Sequence, residues 1–216
     1  MLYKSRTTED WKFTNTIHRK LVSPLFKTNF GITLIQATRK QDLQDNIDYI
    51  GLKNQKKYSF QERIRRNNQY TKNSHEFTLR YQRENSSSEN QKMSEFFKIK
   101  SQFLFYAILN ENEDDFSRYC VINIKALLKN IKNGLIDIDQ NEDNNKHKAY
   151  LKNDKPVCIV KHNYEDKKGN SSFIIFNVNH IKYKIDINLP ENERIIINEV
   201  GYNYSLKNNK INKMKK

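Results

Sequence analysis

Two short segments in the first third of the chain carry residues that can act together on a phosphate. Asp48 is followed, after twelve intervening residues, by Gln61 and then by Arg63. The surrounding sequences, N-I-D-Y-I-G and Y-S-F-Q-E-R-I-R-R, are typical of β-strands and are separated by a short polar turn. Side chains on a strand alternate between its two faces, so Gln61, Arg63 and Arg65 share one face. In a hairpin, Asp48 lies beside Gln61 and Arg63, and such a group can hold a hard divalent cation and stabilise a phosphate under attack.

The other face of the second segment carries Glu62 between two apolar residues, Phe60 and Ile64. A carboxylate among apolar side chains is costly to bury unless it is paired. We therefore expect Glu62 to lie near the edge of the sheet or to pair with a neighbouring arginine.

Other charged residues near these segments have two interpretations each. Asp42 is either a turn or cap residue or a further metal ligand. Arg80 either lines the same cleft or faces water, and Lys98 and Lys100 either contact a phosphate backbone or are ordinary surface lysines. We predict that the contacts with the nucleic-acid backbone, which orient a duplex without reading its sequence, come from Arg65, Arg66, Arg80, Lys98 and Lys100.

The composition indicates a folded protein with polyanionic partners. Of 216 residues, 36% are hydrophobic and 12% are aromatic, which is enough to form a core. Lys and Arg number 39 against 25 Asp and Glu, giving a formal net charge of +14. A charge of this size favours nucleic acid first and an anionic membrane second. Lys, Asn and Ile are abundant throughout, as in proteins from AT-rich genomes, so charge alone is weak support for DNA binding.

Several classes of site have no support in the sequence. The five glycines include no G-x-x-x-x-G-K and no G-x-G-x-x-G pattern, which excludes a P-loop or Rossmann nucleotide cofactor site. The five histidines are scattered, and we expect His18, within the first predicted helix, to pack rather than to act as a base. Cys120 and Cys158 lie in apolar runs and are expected to be buried free thiols in a reducing compartment.

The sequence predicts an α/β protein of the α+β kind, with one domain over residues 1–204 and a flexible basic tail over residues 205–216. The N-terminus has no apolar signal core and no apolar run is long enough to span a bilayer, so we expect a cytoplasmic location. The predicted elements are a helix over 8–27, strands over 47–52, 58–65, 76–83 and 118–124, a short helix over 125–132, and a hairpin of 157–162 with 172–178. Residues 95–109 are either a helix or a strand that follows a short helix.

The order of these elements in residues 8–130 resembles the PD-(D/E)XK nuclease superfamily, which has the restriction-endonuclease-like fold. The matching features are a helix, a strand with Asp48, a strand with Gln61 and Arg63, and a third strand before the next helix and strand. The resemblance implies a central mixed β-sheet flanked by helices, and residues 131–204 would then be an extension with an extra C-terminal β-hairpin. It also implies a Mg²⁺ site, with Mn²⁺ as an alternative ion, in which Asp48 and Gln61 are catalytic metal ligands, Asp42 assists, and Arg63 takes the catalytic basic position.

Two residues depart from the family pattern. Gln61 is a neutral oxygen ligand where most members have a carboxylate, so the charge of the metal is compensated less, and Asp42 or a phosphate oxygen would make up part of the deficit. Arg63 stands where most members have lysine. Arginine, with a pKa above about 12, cannot be a general base. It can bind a phosphate through two parallel hydrogen bonds and stabilise the developing negative charge.

The hypothesis from the sequence is therefore a Mg²⁺-dependent DNA endonuclease of the restriction type, acting on double-stranded DNA as a homodimer and away from membranes. The alternative is a non-catalytic nucleic-acid-binding protein on a degenerate nuclease fold. A third class is a partner-binding protein whose charge reflects genome composition. Convergence of Asp48, Gln61 and Arg63 favours the enzyme, whereas an Asp48 directed away from Gln61 leaves binding alone.

Overall fold

The structure is a computed structural model that describes residues 6–68, 75–83, 95–139, 151–152, 155–163 and 171–202. The predicted tail of residues 205–216 lies outside the described residues. Within the described ranges, no helix is both long enough and apolar enough to cross a membrane.

Strands and helices alternate irregularly along the chain. The strands are β1 (Thr33–Gln36), β2 (Tyr49–Lys53), β3 (Lys56–Arg65), β4 (Glu76–Arg83), β5 (Phe103–Leu109), β6 (Phe116–Asn123), β7 (Asp137–Asp139), β8 (Leu151–Lys152), β9 (Lys155–Asn163), β10 (Ser171–Asn177) and β11 (Ile196–Val200). The α-helices are α1 (Arg6–Ile17), α2 (Ser23–Leu25), α3 (Arg39–Asp45), α4 (Glu95–Lys98), α5 (Ile124–Lys132) and α6 (Val178–Lys184). Two π-helical turns (His18–Val22 and Phe26–Phe30) and two 3₁₀ turns (Asp186–Asn188 and Glu191–Glu193) complete the described elements.

α1, α2 and the two π turns form one continuous helix over residues 6–30, called here the N-terminal helix. An α-helix has about 3.6 residues per turn, so side chains four positions apart drift around its surface. The wider π turns, whose hydrogen bonds span five residues, offset this drift. As a result His18, Val22 and Phe26 all lie buried on the side that packs on the sheet.

The sequence prediction of a helix over residues 8–27 is confirmed. Pro24 does not end it. It follows the π turn in which the amide of Ser23 donates to the carbonyl oxygen of His18, and this wider turn accommodates a residue that has no amide hydrogen to donate. The helix ends instead at Gly31, whose φ of 64° is in the left-handed region that glycine adopts without a steric penalty.

The strands form two mixed sheets. The first sheet has the order β1-β2-β3-β5-β6-β11, and the second has the order β4-β10-β9-β7, with β8 paired to β9. β3 runs parallel to β5 and β7 runs parallel to β9, whereas the other pairs are antiparallel. The α+β class predicted from the sequence is confirmed.

The first sheet is covered on both faces, which explains its most apolar strand. A core between the two sheets includes Leu104, Tyr106 and Ile108 of β5, and a second core under the N-terminal helix includes Phe105 and Ala107. Because both faces are buried, β5 is apolar throughout rather than alternating. Of the two interpretations of residues 95–109, the short helix followed by a strand is therefore the one confirmed.

The third predicted strand lies in a different sheet from the second. β4 follows β3 along the chain but pairs with β10, and β5 takes the place beside β3. The alternation of Phe77, Leu79 and Tyr81 with polar residues requires only one buried face, and both sheets offer such a face. The predicted hairpin near the C-terminus is confirmed as β9 and β10. β11, however, returns to the first sheet beside β6, so the C-terminal part completes both sheets.

Gly51 in β2 leaves no room for a side chain beneath the N-terminal helix. A Cβ atom at this position would lie 2.6 Å from Cε2 of Phe60 and 2.7 Å from Cγ2 of Ile32. We predict that Gly51→Ala lowers the free energy of unfolding by about 1–3 kcal/mol through overpacking. Gln36→Ala, on the exposed neighbouring strand β1, should change it by less than about 0.5 kcal/mol. Urea denaturation measures both, and equal stabilities of the two variants would contradict the packing described.

Candidate active site

Asp48 lies at the entry to β2 and contacts the backbone of β3 on both sides of Gln61. Its amide nitrogen donates a hydrogen bond to the carbonyl oxygen of Phe60 at 2.8 Å. The amide nitrogen of Glu62 donates to Oδ2 of Asp48 at 2.7 Å. Tyr49, the next residue, is the partner of Phe60 in the β2–β3 hairpin. Asp48 therefore stands beside Gln61, in the hairpin that the sequence predicts.

Gln61 and Arg63 lie on the face of β3 that looks toward the second sheet. In the parallel pairing with β5, Gln61 is opposite Leu104 and Arg63 is opposite Tyr106, and both partners belong to the core between the sheets. Gln61 is only 7% exposed, and Arg63 is half-buried. Their Cα atoms are about 7 Å apart along the strand, so one phosphate group can be reached from both side chains.

Glu62 lies on the opposite face of β3, under the N-terminal helix. Its side chain is 2% exposed, and a hydrogen bond of 2.5 Å joins Oε2 to Nδ1 of His18. The other carboxylate oxygen, Oε1, is buried and has no hydrogen-bond partner among the described residues. Burial raises the pKa of the Glu62 carboxyl, and the hydrogen bond and charge of His18 oppose that rise.

The sequence-based expectation for Glu62 is wrong on both counts. β3 is an interior strand of the first sheet, and the partner of Glu62 is a histidine from the helix rather than a neighbouring arginine. The expectation that His18 packs is confirmed, because its ring is buried against β2.

Tyr49 links this buried pair to Asp48. Its ring stacks on His18 with 3.7 Å between the ring centroids and 4° between the planes. Burial raises the pKa of the Tyr49 hydroxyl, the charges of Glu62 and Asp48 raise it further, and the charge of Arg19 opposes them. The hydroxyl is therefore protonated at neutral pH and is available as a hydrogen-bond donor beside acidic groups.

Asp42 is held near the same place by a short helix. α3 starts with a capping box in which the side chain of Thr38 and that of Gln41 each bind the other's backbone amide. Asp42 lies in the first turn of α3, and partial burial raises the pKa of its carboxyl. Its charge acts on the hydroxyl of Tyr49, so Asp42 and Asp48 both lie within electrostatic range of that group.

The ligands for a cation at Asp48 would come mainly from oxygen atoms other than carboxylates. Across the described ranges, no three or more His, Cys, Asp and Glu side chains form a group that could hold a metal ion. The amide oxygen of the adjacent Gln61 is of a suitable type. Mg²⁺ is commonly bound by one or two carboxylates, with waters and substrate phosphates as its remaining ligands, and Asp48 with Gln61 fits that requirement.

Two of the residues predicted to contact nucleic acid form ion pairs within the protein. Nε of Arg66 lies 2.8 Å from Oε1 of Glu113, and its guanidinium lies 4.2 Å from the ring centroid of Phe13. Nζ of Lys100 lies 2.7 Å from Oδ1 of Asp45. The two ion pairs lie near opposite ends of the β3–β5 pairing. A short stretch of nucleic-acid backbone would therefore not contact both of them.

The other three predicted contacts lie at or near the second sheet. Arg65 donates a hydrogen bond of 3.4 Å to Oγ1 of Thr78 in β4. The guanidinium of Arg80 lies 6.0 Å from the ring centroid of Phe173, and Lys98 is half-buried in the last turn of α4. A role of all five in nucleic-acid binding stays a prediction.

Reasoning from the sequence missed the part that Tyr49 and the His18–Glu62 pair take in the site. One indication was present, because Glu62 among apolar neighbours requires a buried partner. His18 lies four positions before Val22, on the apolar side of the predicted helix, and is the partner that such an argument would select.

Comparisons of the chain with protein-family models, with curated proteins and with solved structures find no match.

The His18–Glu62 pair gives a pH-dependent prediction. His18→Ala leaves a buried carboxylate without its partner, and we predict a loss of about 3 kcal/mol or more in the free energy of unfolding at pH 7. The folded variant then takes up a proton at Glu62 more readily than the unfolded chain does. The loss should therefore shrink as the pH falls from neutral toward the ordinary glutamate pKa of 4.5.

Chemical denaturation at several pH values measures this effect, with the exposed Lys20→Ala on the same helix as a control of nearly wild-type stability. If the decrease in the free energy of unfolding caused by His18→Ala does not depend on pH, His18 does not affect the protonation of Glu62.

Proposed function

We propose that the chain is a metal-dependent nuclease that hydrolyses phosphodiester bonds of double-stranded DNA, on a variant of the restriction-endonuclease-like fold. The observation that carries the proposal is the position of Asp48. Its amide and its carboxylate form hydrogen bonds with the backbone of β3 on either side of Gln61. Asp48 and Gln61 have the ligand types and the adjacency that the hypothesis requires.

In this proposal the cation is Mg²⁺, or Mn²⁺ in its place. Asp48 and Gln61 hold it, and Asp42 assists from α3. When bound, the ion lowers the pKa of a water molecule and compensates negative charge on the phosphate. A cation at Asp48 would share the carboxylate with the hydrogen bond that the amide of Glu62 donates to Oδ2.

Arg63 contributes electrostatically rather than as a base. Its guanidinium is always charged, and it lies on the same strand face as Gln61. From there it binds the phosphate oxygens and stabilises the charge that develops as the attacking oxygen approaches phosphorus. Removing its charge should therefore lower the rate constant of cleavage more than the affinity for DNA.

A second candidate function is nucleic-acid binding without catalysis. Two observations favour it: Oδ2 of Asp48 is already engaged by the amide of Glu62, and Gln61 is only 7% exposed. A metal site that has lost its function would keep such structural contacts, but a cation could no longer reach the oxygen atoms of Asp48 and Gln61. The two functions differ in a single respect, which is whether bound DNA is cut when Mg²⁺ or Mn²⁺ is added.

The test compares the wild type with Asp48→Asn on supercoiled plasmid and on linear duplex, with Mg²⁺, with Mn²⁺ and with EDTA. Asparagine keeps an oxygen that can accept the hydrogen bond from Glu62 but lacks the charge that holds a cation. We predict metal-dependent cutting by the wild type and a loss of about 100-fold or more in the variant, which is about 2.7 kcal/mol of transition-state stabilisation.

The control is Glu193→Gln, which also removes one negative charge, here from a surface ion pair with Lys129 that lies outside the candidate site. Such pairs contribute at most about 1 kcal/mol to stability, so cutting should stay within about twofold of the wild type. DNA bound by the wild type but left intact with either metal would support the second candidate and exclude the nuclease.

A further inference from the structure

The tip of the β2–β3 hairpin concentrates positive charge in a tight turn. Asn54 and Gln55 connect the strands, and both have positive φ values, 48° and 63°, as a two-residue turn of type I′ requires. Lys53 and Lys56 are direct cross-strand partners on either side of this turn, and Lys57 follows. We call Lys53, Lys56 and Lys57 the basic tip.

The basic tip is electrostatically unfavourable by itself. Like charges directly opposite each other on paired strands destabilise the pairing. All three lysines are exposed, and no carboxylate of the described residues forms an ion pair with any of them. Several other described lysines do have such partners: Lys100 with Asp45, Lys129 with Glu193, Lys155 with Asp137, and Lys182 with Glu199.

A purely structural explanation accounts for only part of this charge. The N-terminal helix ends nearby, since a Cβ atom on Gly31 would lie 4.0 Å from Cε of Lys53. The carbonyl end of a helix favours cations, which explains Lys27 in the last turn and one lysine of the tip. It does not explain three exposed lysines around one two-residue turn.

We propose that the basic tip docks on the phosphate backbone of duplex DNA, and this inference rests on the proposed function. Lys53 lies five residues beyond Asp48 along β2, or about 17 Å. Phosphates of one DNA strand are separated by about 3.4 Å of helix axis per base pair. With β2 lying along the DNA axis, the basic tip reaches phosphates about five base pairs from the phosphodiester bond that is cut beside Asp48. Lysine contacts of this kind position the duplex and carry no sequence information.

The experiment uses the full chain with Lys53→Gln, Lys56→Gln and Lys57→Gln combined, in EDTA so that no cutting occurs. Fluorescence anisotropy with a labelled duplex gives Kd from about 50 to about 300 mM KCl. Each phosphate contact contributes about 0.9 to the slope of log Kd against log salt, so loss of three contacts should lower the slope by about 2.7. The matched control replaces Lys125, Lys129 and Lys132 of α5 by Gln, and the slope should then change by less than about 0.5.

A second measurement guards against misfolding. Because the substitutions remove the repulsion between Lys53 and Lys56, the triple variant should unfold at the same temperature as the wild type or a higher one. A slope equal to that of the wild type would overturn the docking site. So would binding to phosphatidylcholine vesicles containing phosphatidylserine but not to DNA, which would make the basic tip a membrane contact.

The outcomes separate this inference from the proposed nuclease. If the salt slope is reduced in the triple variant and the wild type shows no metal-dependent cutting, the docking site is supported and the nuclease function is excluded. Cutting by the wild type with an unchanged slope in the triple variant supports the nuclease and removes the docking site.

Discussion

The burial of the Glu62 carboxylate under the N-terminal helix is the constraint on which the rest of the N-terminal half depends. A buried carboxylate without a partner costs several kcal/mol, so the sheet requires a cation or donor above β3 at this position. His18 supplies it, and to do so the N-terminal helix must lie across the first sheet with His18 directed inward. The backbone amide of Glu62 donates a hydrogen bond to the carboxylate of Asp48. Glu62 therefore fixes both the helix above the sheet and the candidate ligand at the start of β2.

The alternation of a β-strand lets β3 serve two purposes. Phe60 and Glu62 face the helix and form the structural contacts, whereas Gln61 and Arg63 face the second sheet and carry the candidate chemistry. A shift of pairing by one residue would exchange the two sets, burying Arg63 under the helix and leaving His18 without its partner. The His18–Glu62 pair thus selects the register in which Asp48 meets Gln61.

The parts of this arrangement that the sequence predicts are those set by local rules. The hairpin that brings Asp48 to Gln61 follows from period-two patterns and a short polar turn, and the helix over residues 8–27 follows from its spacing of apolar residues. The sheet to which β4 belongs could not be predicted, because the alternation of Phe77 and Leu79 is compatible with any sheet that has one covered face. The return of β11 to the first sheet is equally non-local. The partner of Glu62 depends on the same helix–sheet packing, so proximity in the sequence wrongly favoured an arginine.

If Asp48 and Gln61 hold a divalent cation, Mn²⁺ bound at this site will broaden the NMR signals of nearby amides through its paramagnetism. In ¹⁵N-labelled protein titrated with substoichiometric Mn²⁺, we expect the amide signals of residues 60–62 to broaden first. Asp48→Asn should abolish that selectivity while leaving the chemical shifts of distant residues unchanged. If the signals of residues 60–62 keep their widths while amides elsewhere broaden, the cation binds at another place and the site proposed at Asp48 and Gln61 is wrong.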